Sequence, residues 1–102
     1  MSENLLNLVN TIRERKDKDK DKSYTSSLLS AGLSKCIDKM EEELGELKEA
    51  LNDKSNEVHE AADTIYHILV TLEAANIKFE DVLQELENRK NQSGIEEKNN
   101  RK

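Results

Sequence analysis

Two short stretches set carboxylates at a spacing that metal-assisted chemistry needs. In "KMEEELGEL", residues 39 to 47, Glu41, Glu42, Glu43 and Glu46 crowd into six positions. In "EAAD", residues 60 to 63, Glu60 and Asp63 stand three apart. On a helix, an i, i+3 pair brings two carboxylates within about 6 Å on one face. A wet helix rim tolerates the mild repulsion, and a bound cation would put it to use. Glu43 with Glu46, and Glu60 with Asp63, offer four oxygen ligands. Such a set suits Mg²⁺ or Mn²⁺, hard ions that prefer carboxylate and water. It does not suit zinc, which wants more His or Cys. Glu42 is an outer ligand, a base for a water's proton, or a plain rim carboxylate. Lys39 lies in the same stripe and contacts phosphate or balances Glu43. His67 falls one turn beyond Glu60 and Asp63 and reads as a structural histidine.

These groups need long helices to carry them. Leu33, Ile37, Met40, Leu44, Leu47 and Leu51 are spaced 4, 3, 4, 3, 4, an apolar seam with a period near 3.5. That predicts one long helix ending near "NDKSN", residues 52 to 56, where Asn and Ser suit a turn and the next N-cap. Each residue turns a helix by about 100°, so Glu43 and Glu46 border the seam and Glu42 and Glu49 lie toward solvent. A second long helix is expected from about 56 to 75, with Val58, Ala61, Ala62, Ile65, Ile68, Leu69, Leu72 and Ala75 as its buried face. A short loop requires the two helices to pack antiparallel, and then the carboxylate pairs can face each other.

The remainder is shorter. Leu5, Leu6, Val9 and Ile12 predict an amphipathic helix over residues 3 to 15. "KDKDKDK", residues 16 to 22, cannot pack and is a solvated charged loop. In "SYTSSLLSAGL", Ser23 and Thr25 are candidate N-caps, Leu28, Leu29 and Leu33 anchor a short helix, and Gly32 bends or breaks it. Phe79, Val82, Leu83 and Leu86 predict a last helix from about 79 to 90, followed by a polar tail over 91–102.

The bulk composition agrees. Of 102 residues, 34% are apolar and 37% charged, with no proline and three glycines. That is a single all-α domain, a helical bundle with a thin core that a second subunit completes. The formal net charge of −6 argues against nucleic acid or an anionic membrane as partner. The lone cysteine, Cys36, excludes an intrachain disulfide and fits a reducing cytoplasm. No stretch reaches the apolar length of a membrane span.

"EELGE" (42 to 46) followed by "EAAD" (60 to 63) resembles the EExxE…ExxD signature of the all-α, MazG-like nucleotide pyrophosphohydrolases. Within that superfamily the chain resembles the phosphoribosyl-ATP pyrophosphohydrolases of histidine biosynthesis. "TIRERK" (11 to 16), "SYTSSLLSAGLSKCIDKMEEELGE" (23 to 46), "EAADTIYHILVTL" (60 to 72), "VLQELENRK" (82 to 90) and "SGIEEK" (93 to 98) carry the likeness, in order and across nearly the whole chain. "SYT", "ADxxYHxLV" and "SGxEEK" are more specific than the acidic motif. Two departures stand out: Glu41 where the family usually has glycine, and Leu44 and Gly45 after the glutamates. Gly45 costs helix stability, about 1 kcal/mol against alanine, and would permit close approach of a neighbouring helix.

The resemblance implies a homodimeric helical bundle that hydrolyses phosphoribosyl-ATP to phosphoribosyl-AMP and pyrophosphate with Mg²⁺. It implies Glu43, Glu46, Glu60 and Asp63 as metal ligands. Arg89, Lys90 and Lys98 become candidates for the ribose phosphate, and Tyr24 for the border of the substrate pocket. It also expects the tail to dock near the site, and the following pathway step to reside in another protein. Two other readings stay open: a house-cleaning nucleoside triphosphate pyrophosphohydrolase using the same carboxylates, and a helical interaction protein with no metal dependence.

Overall fold

The structure is a computed structural model describing residues 3–19 and 21–90. Lys98 and the rest of the tail lie outside the described residues. Five helices make up the described chain: α1 (Glu3–Arg15), α2 (Tyr24–Ala31), α3 (Leu33–Asp53), α4 (Glu57–Ala74) and α5 (Phe79–Arg89). The fold class is all-α, as the period-3.6 patterning requires.

Local chemistry sets the boundaries. Ser23 caps α2, its side chain accepting from the Ser26 amide at 3.0 Å. Gly32 ends α2 at a φ of 96°, in the region that glycine enters freely and other residues rarely do. Between α3 and α4, Lys54 and Asn56 both take left-handed backbone, with φ of 57° and 59°. The Lys54 amide closes on the Ala50 carbonyl, and so does that of Ser55 at 3.1 Å. Asn56 precedes α4 but makes no side-chain cap, because the left-handed conformation replaces the extended one that capping requires.

The long pair is joined through polar atoms. Thr64 Oγ1 reaches the Glu43 carbonyl at 3.1 Å, and Thr71 Oγ1 reaches the Cys36 carbonyl at 3.2 Å. Seven residues forward on α4 match seven residues back on α3, the register expected of an antiparallel pair. Cys36 and Ala50, the two buried residues of α3, lie seven before and seven after Glu43. A seven-residue step is nearly two helical turns, so all three share one stripe against α4.

This corrects the expectation for the apolar faces. The core is formed by Val9 and Ile12 of α1, Leu28 of α2, Cys36 of α3, Leu69 and Val70 of α4 and Phe79 of α5. The α3 seam stays largely outside it: Leu33, Ile37, Leu44 and Leu51 are exposed. On α4, Leu69 is buried as expected, but Val58, Ile65 and Ile68 are exposed, Val58 by 86%. With α1 and α2 on one side, none of the other described helices covers the exposed α3 and α4 positions on the other side. A Cβ on Gly45 would meet nothing within 4 Å, so this glycine does not serve close packing among the described residues.

The end of α1 is fixed by charge. Arg13 grips Glu80 of α5 through Nη1 at 2.8 Å and also through Nη2, and its Nε lies 3.6 Å from Glu73 of α4. Lys16 donates to the Glu73 carbonyl at 3.1 Å and to Asn76 Oδ1 at 2.6 Å. "TIRERK" is thus the segment that ties α1 to the α4–α5 corner.

Candidate active site

Thr64 is buried, and the residue on either side of the α3–α4 crossing is a candidate ligand: Glu43 on one helix, Asp63 on the other. Position in the packed stripe half-buries Glu43, whose side chain is 13% exposed. Its Oε2 has no hydrogen-bond partner and no contact with solvent. Buried carboxylate oxygens are costly to leave unmatched, so an unmatched one marks a place where a cation or its water would be stabilised.

Glu46, one turn further, is exposed. Its carboxyl is held above the ordinary value, chiefly because a proton on Glu46 could bridge to the neighbouring Glu43 carboxylate and also because the two charges repel. Glu60 and Glu46 both line a small recess of about 190 Å³ with Glu49, Asp53 and Asn56. On α4, His59, Glu60 and Asp63 place their ligand atoms within 4.8 Å of one another. Among the described residues, Glu43 and Glu46 do not join that tight group; they approach it from the facing helix.

His59 was not foreseen. Its Nε2 lies 3.2 Å from Asp63 Oδ2 across one helical turn. The signal was present, since a histidine four before an aspartate shares its face, but the glutamates masked it.

His67 is buried and is held at both nitrogens. Nδ1 donates to the Asp63 carbonyl at 2.8 Å. In the neutral ring that leaves Nε2 as acceptor, and the Tyr24 hydroxyl donates to it at 3.2 Å. Glu43 Oε1 lies 3.9 Å from Nδ1. Burial is the main reason the Tyr24 hydroxyl is pushed up from its ordinary pKa, which keeps it a donor; Lys39 opposes the shift, and Tyr66, Glu43 and Glu42 add to it. Thr25 bonds to the Tyr66 hydroxyl, so "SYT" and "YH" meet side by side.

Lys39 and Glu42 pair at 3.2 Å, and this bond is the largest cause raising the Lys39 ammonium above its ordinary value. Arg89 pairs with Glu85 on its own helix at 3.0 Å rather than with the carboxylates. The structure therefore gathers Glu42, Glu43, Glu46, Lys39 and Tyr24 on one side and Glu60 and Asp63 with His59 on the other. Arg89 stays apart at the end of α5. A cavity of about 770 Å³ lies elsewhere, beside Arg13 and Glu80, where Arg13 is already spent on Glu80 and Glu73. No helix among the described residues is long and apolar enough to cross a membrane.

Comparison with known proteins gives a coherent answer. The phosphoribosyl-ATP pyrophosphatase of Paracoccus denitrificans is 43% identical over 97 residues, 93% of this chain and 90% of that protein. The phosphoribosyl-ATP pyrophosphatase of Roseobacter denitrificans is 45% identical over 96 residues, 92% of this chain and 91% of its own. The histidine biosynthesis bifunctional protein HisIE of Helicobacter hepaticus is 47% identical over 97 residues, which is 93% of this chain and 42% of that protein. No solved structure matches significantly. The family profile described as phosphoribosyl-ATP pyrophosphohydrolase matches residues 5–90, a span that includes both carboxylate pairs, Tyr24 and His67, and the chain belongs to that family.

Proposed function

We propose that this chain hydrolyses phosphoribosyl-ATP to phosphoribosyl-AMP and pyrophosphate, the second step of histidine biosynthesis, with Mg²⁺ as cofactor and Mn²⁺ as a substitute. Family membership supports the reaction. The observation that carries the metal is the buried Glu43 oxygen without a partner, opposite a cluster of oxygen and nitrogen donors. Glu43, Glu46, Glu60 and Asp63 would hold the ion, whose chemistry is to neutralise the polyphosphate and polarise the phosphorus under attack.

The chain's own residues do the rest. Glu42, exposed and paired with Lys39, accepts the proton of the attacking water. The new bond forms between water oxygen and phosphorus. The anhydride bond between the α and β phosphorus atoms breaks, and pyrophosphate leaves with the electron pair. Lys39 faces the negative charge that leaves. Arg89 and Lys98 are proposed contacts for the ribose phosphate, Arg89 by exchanging Glu85 for it.

The working form is a homodimer in the cytoplasm. Leu44, Val58 and Ile65 leave an apolar surface along α3 and α4 that a second copy would bury.

The test is pyrophosphate release from phosphoribosyl-ATP, with and without Mg²⁺, beside a panel of nucleoside triphosphates. Metal-dependent release from phosphoribosyl-ATP is expected. Release mainly from a common triphosphate would move the protein to the house-cleaning branch. No release from any of them would return the glutamates to a solvated rim.

A further inference from the structure

Three aromatic side chains are present in the sequence. Phe79 is buried and Tyr66 half-buried, but Tyr24 keeps 53% of its surface exposed. Its polar end is already committed, because the hydroxyl donates to His67 Nε2. Its plane is fixed as well. Tyr66 lies nearly parallel, at 21° and 6.3 Å between centroids, and His67 meets it edge-on at 5.9 Å. An aromatic ring held in a fixed plane, with its hydroxyl tied and much of its surface open, is suited to stacking against a flat π system.

The ring stands beside the carboxylates. It lies in the field of Lys39, Glu42 and Glu43, and the histidine that holds it is 3.9 Å from Glu43. A nucleotide whose phosphates are held at those carboxylates has its flat part, the base, within reach of Tyr24. We propose that the open face of Tyr24 is the platform on which the purine of the nucleotide substrate stacks, with His67 and Tyr66 fixing the ring. This rests on the pyrophosphohydrolase reading above.

The two products separate base from phosphate. Phosphoribosyl-AMP carries the purine and pyrophosphate does not. In Tyr24→Leu, the KM for phosphoribosyl-ATP and the inhibition constant of phosphoribosyl-AMP should each rise about tenfold or more. The inhibition constant of pyrophosphate should stay within about twofold of the unmodified protein's, because a base-stacking platform makes no contact with it. Tyr24→Phe, which keeps the ring, should regain most of the lost affinity. Equal weakening of both products would assign Tyr24 a structural role and overturn the proposal. So would a phenylalanine variant as weak as the leucine one.

A second measurement does not depend on altering Tyr24. The chain has no tryptophan and two tyrosines, so Tyr66→Phe leaves Tyr24 as the sole strong emitter. Phosphoribosyl-AMP should quench that emission and saturate near its inhibition constant, and pyrophosphate should not. Absence of quenching in a protein that binds phosphoribosyl-AMP rejects stacking alone. A protein that releases no pyrophosphate and binds neither product rejects the reading beneath it as well.

Discussion

The hydroxyl of Thr64 lies 3.1 Å from the carbonyl oxygen of Glu43 and 2.8 Å from that of Glu60. One proton is shared between the backbones of two candidate ligands on different helices. This bond holds the facing carboxylate pairs at a common level.

Thr64→Val keeps the β-branched shape and removes the shared proton. The expected loss of stability is about 1 kcal/mol, the ordinary worth of one hydrogen bond. The expected effect on Mg²⁺ affinity is larger in proportion, about tenfold, since supporting contacts around a metal typically matter that much. Calorimetric titration with Mg²⁺ beside thermal unfolding separates the two.

Glu43 is half-buried, and one of its carboxylate oxygens is buried without a partner. Glu43→Gln should therefore stabilise the metal-free protein, by about 1 kcal/mol, through removal of a poorly solvated charge beside Glu46. The same change should lower Mg²⁺-dependent pyrophosphate release by about a hundredfold or more. Opposite signs in unfolding and activity would mark a functional group. A fall in both would mean that Glu43 is structural.

The Arg13 guanidinium, by its hydrogen bonds, is the largest cause holding the Glu80 carboxyl at about 2, below its ordinary 4.5. A carboxyl lowered by folding stabilises the native state above its ordinary value and loses that contribution as pH falls through the lowered one. Glu80→Gln should thus be less stable than the unmodified chain near neutral pH. The two should converge as pH drops from 4.5 toward 2. Denaturant midpoints across that window would reveal it; a gap that stays constant rules out the ion pair as its source.

Ile65→Lys with Val58→Lys places charge on the apolar surface of α4, where both positions are exposed in the single chain. Sedimentation should show dissociation of the proposed dimer, and the unfolding temperature should lose its dependence on protein concentration. By contrast, Leu69→Ala, at a site 5% exposed, should cost about 2–5 kcal/mol whatever the assembly state.

Much was legible in the chain itself. The helices follow from apolar spacing and from turn chemistry at Ser23 and Gly32, which are local effects. The carboxylate pairs were visible as i, i+3 spacings, and "SYT" with "YH" pointed to the family. Which face of a helix is buried is not a local property. Leu44 and Ile65 are as apolar as Leu69, yet only Leu69 meets α1 and α2, so the seam's strength in sequence did not predict its burial. His59 is a different case, since it stands next to Glu60 and four before Asp63 on one helix, and that local spacing was already present in the sequence.

The sequence by itself determined the helices, the acidic pairs they carry and the family they indicate, because propensity and spacing act within a few residues. Only the tertiary structure decided that Glu43 turns inward with an unmatched oxygen, that His67 joins Asp63 to Tyr24, and that the α3 seam faces away from the core. Those outcomes depend on how helices distant along the chain are packed, and packing is settled by the register of the whole bundle.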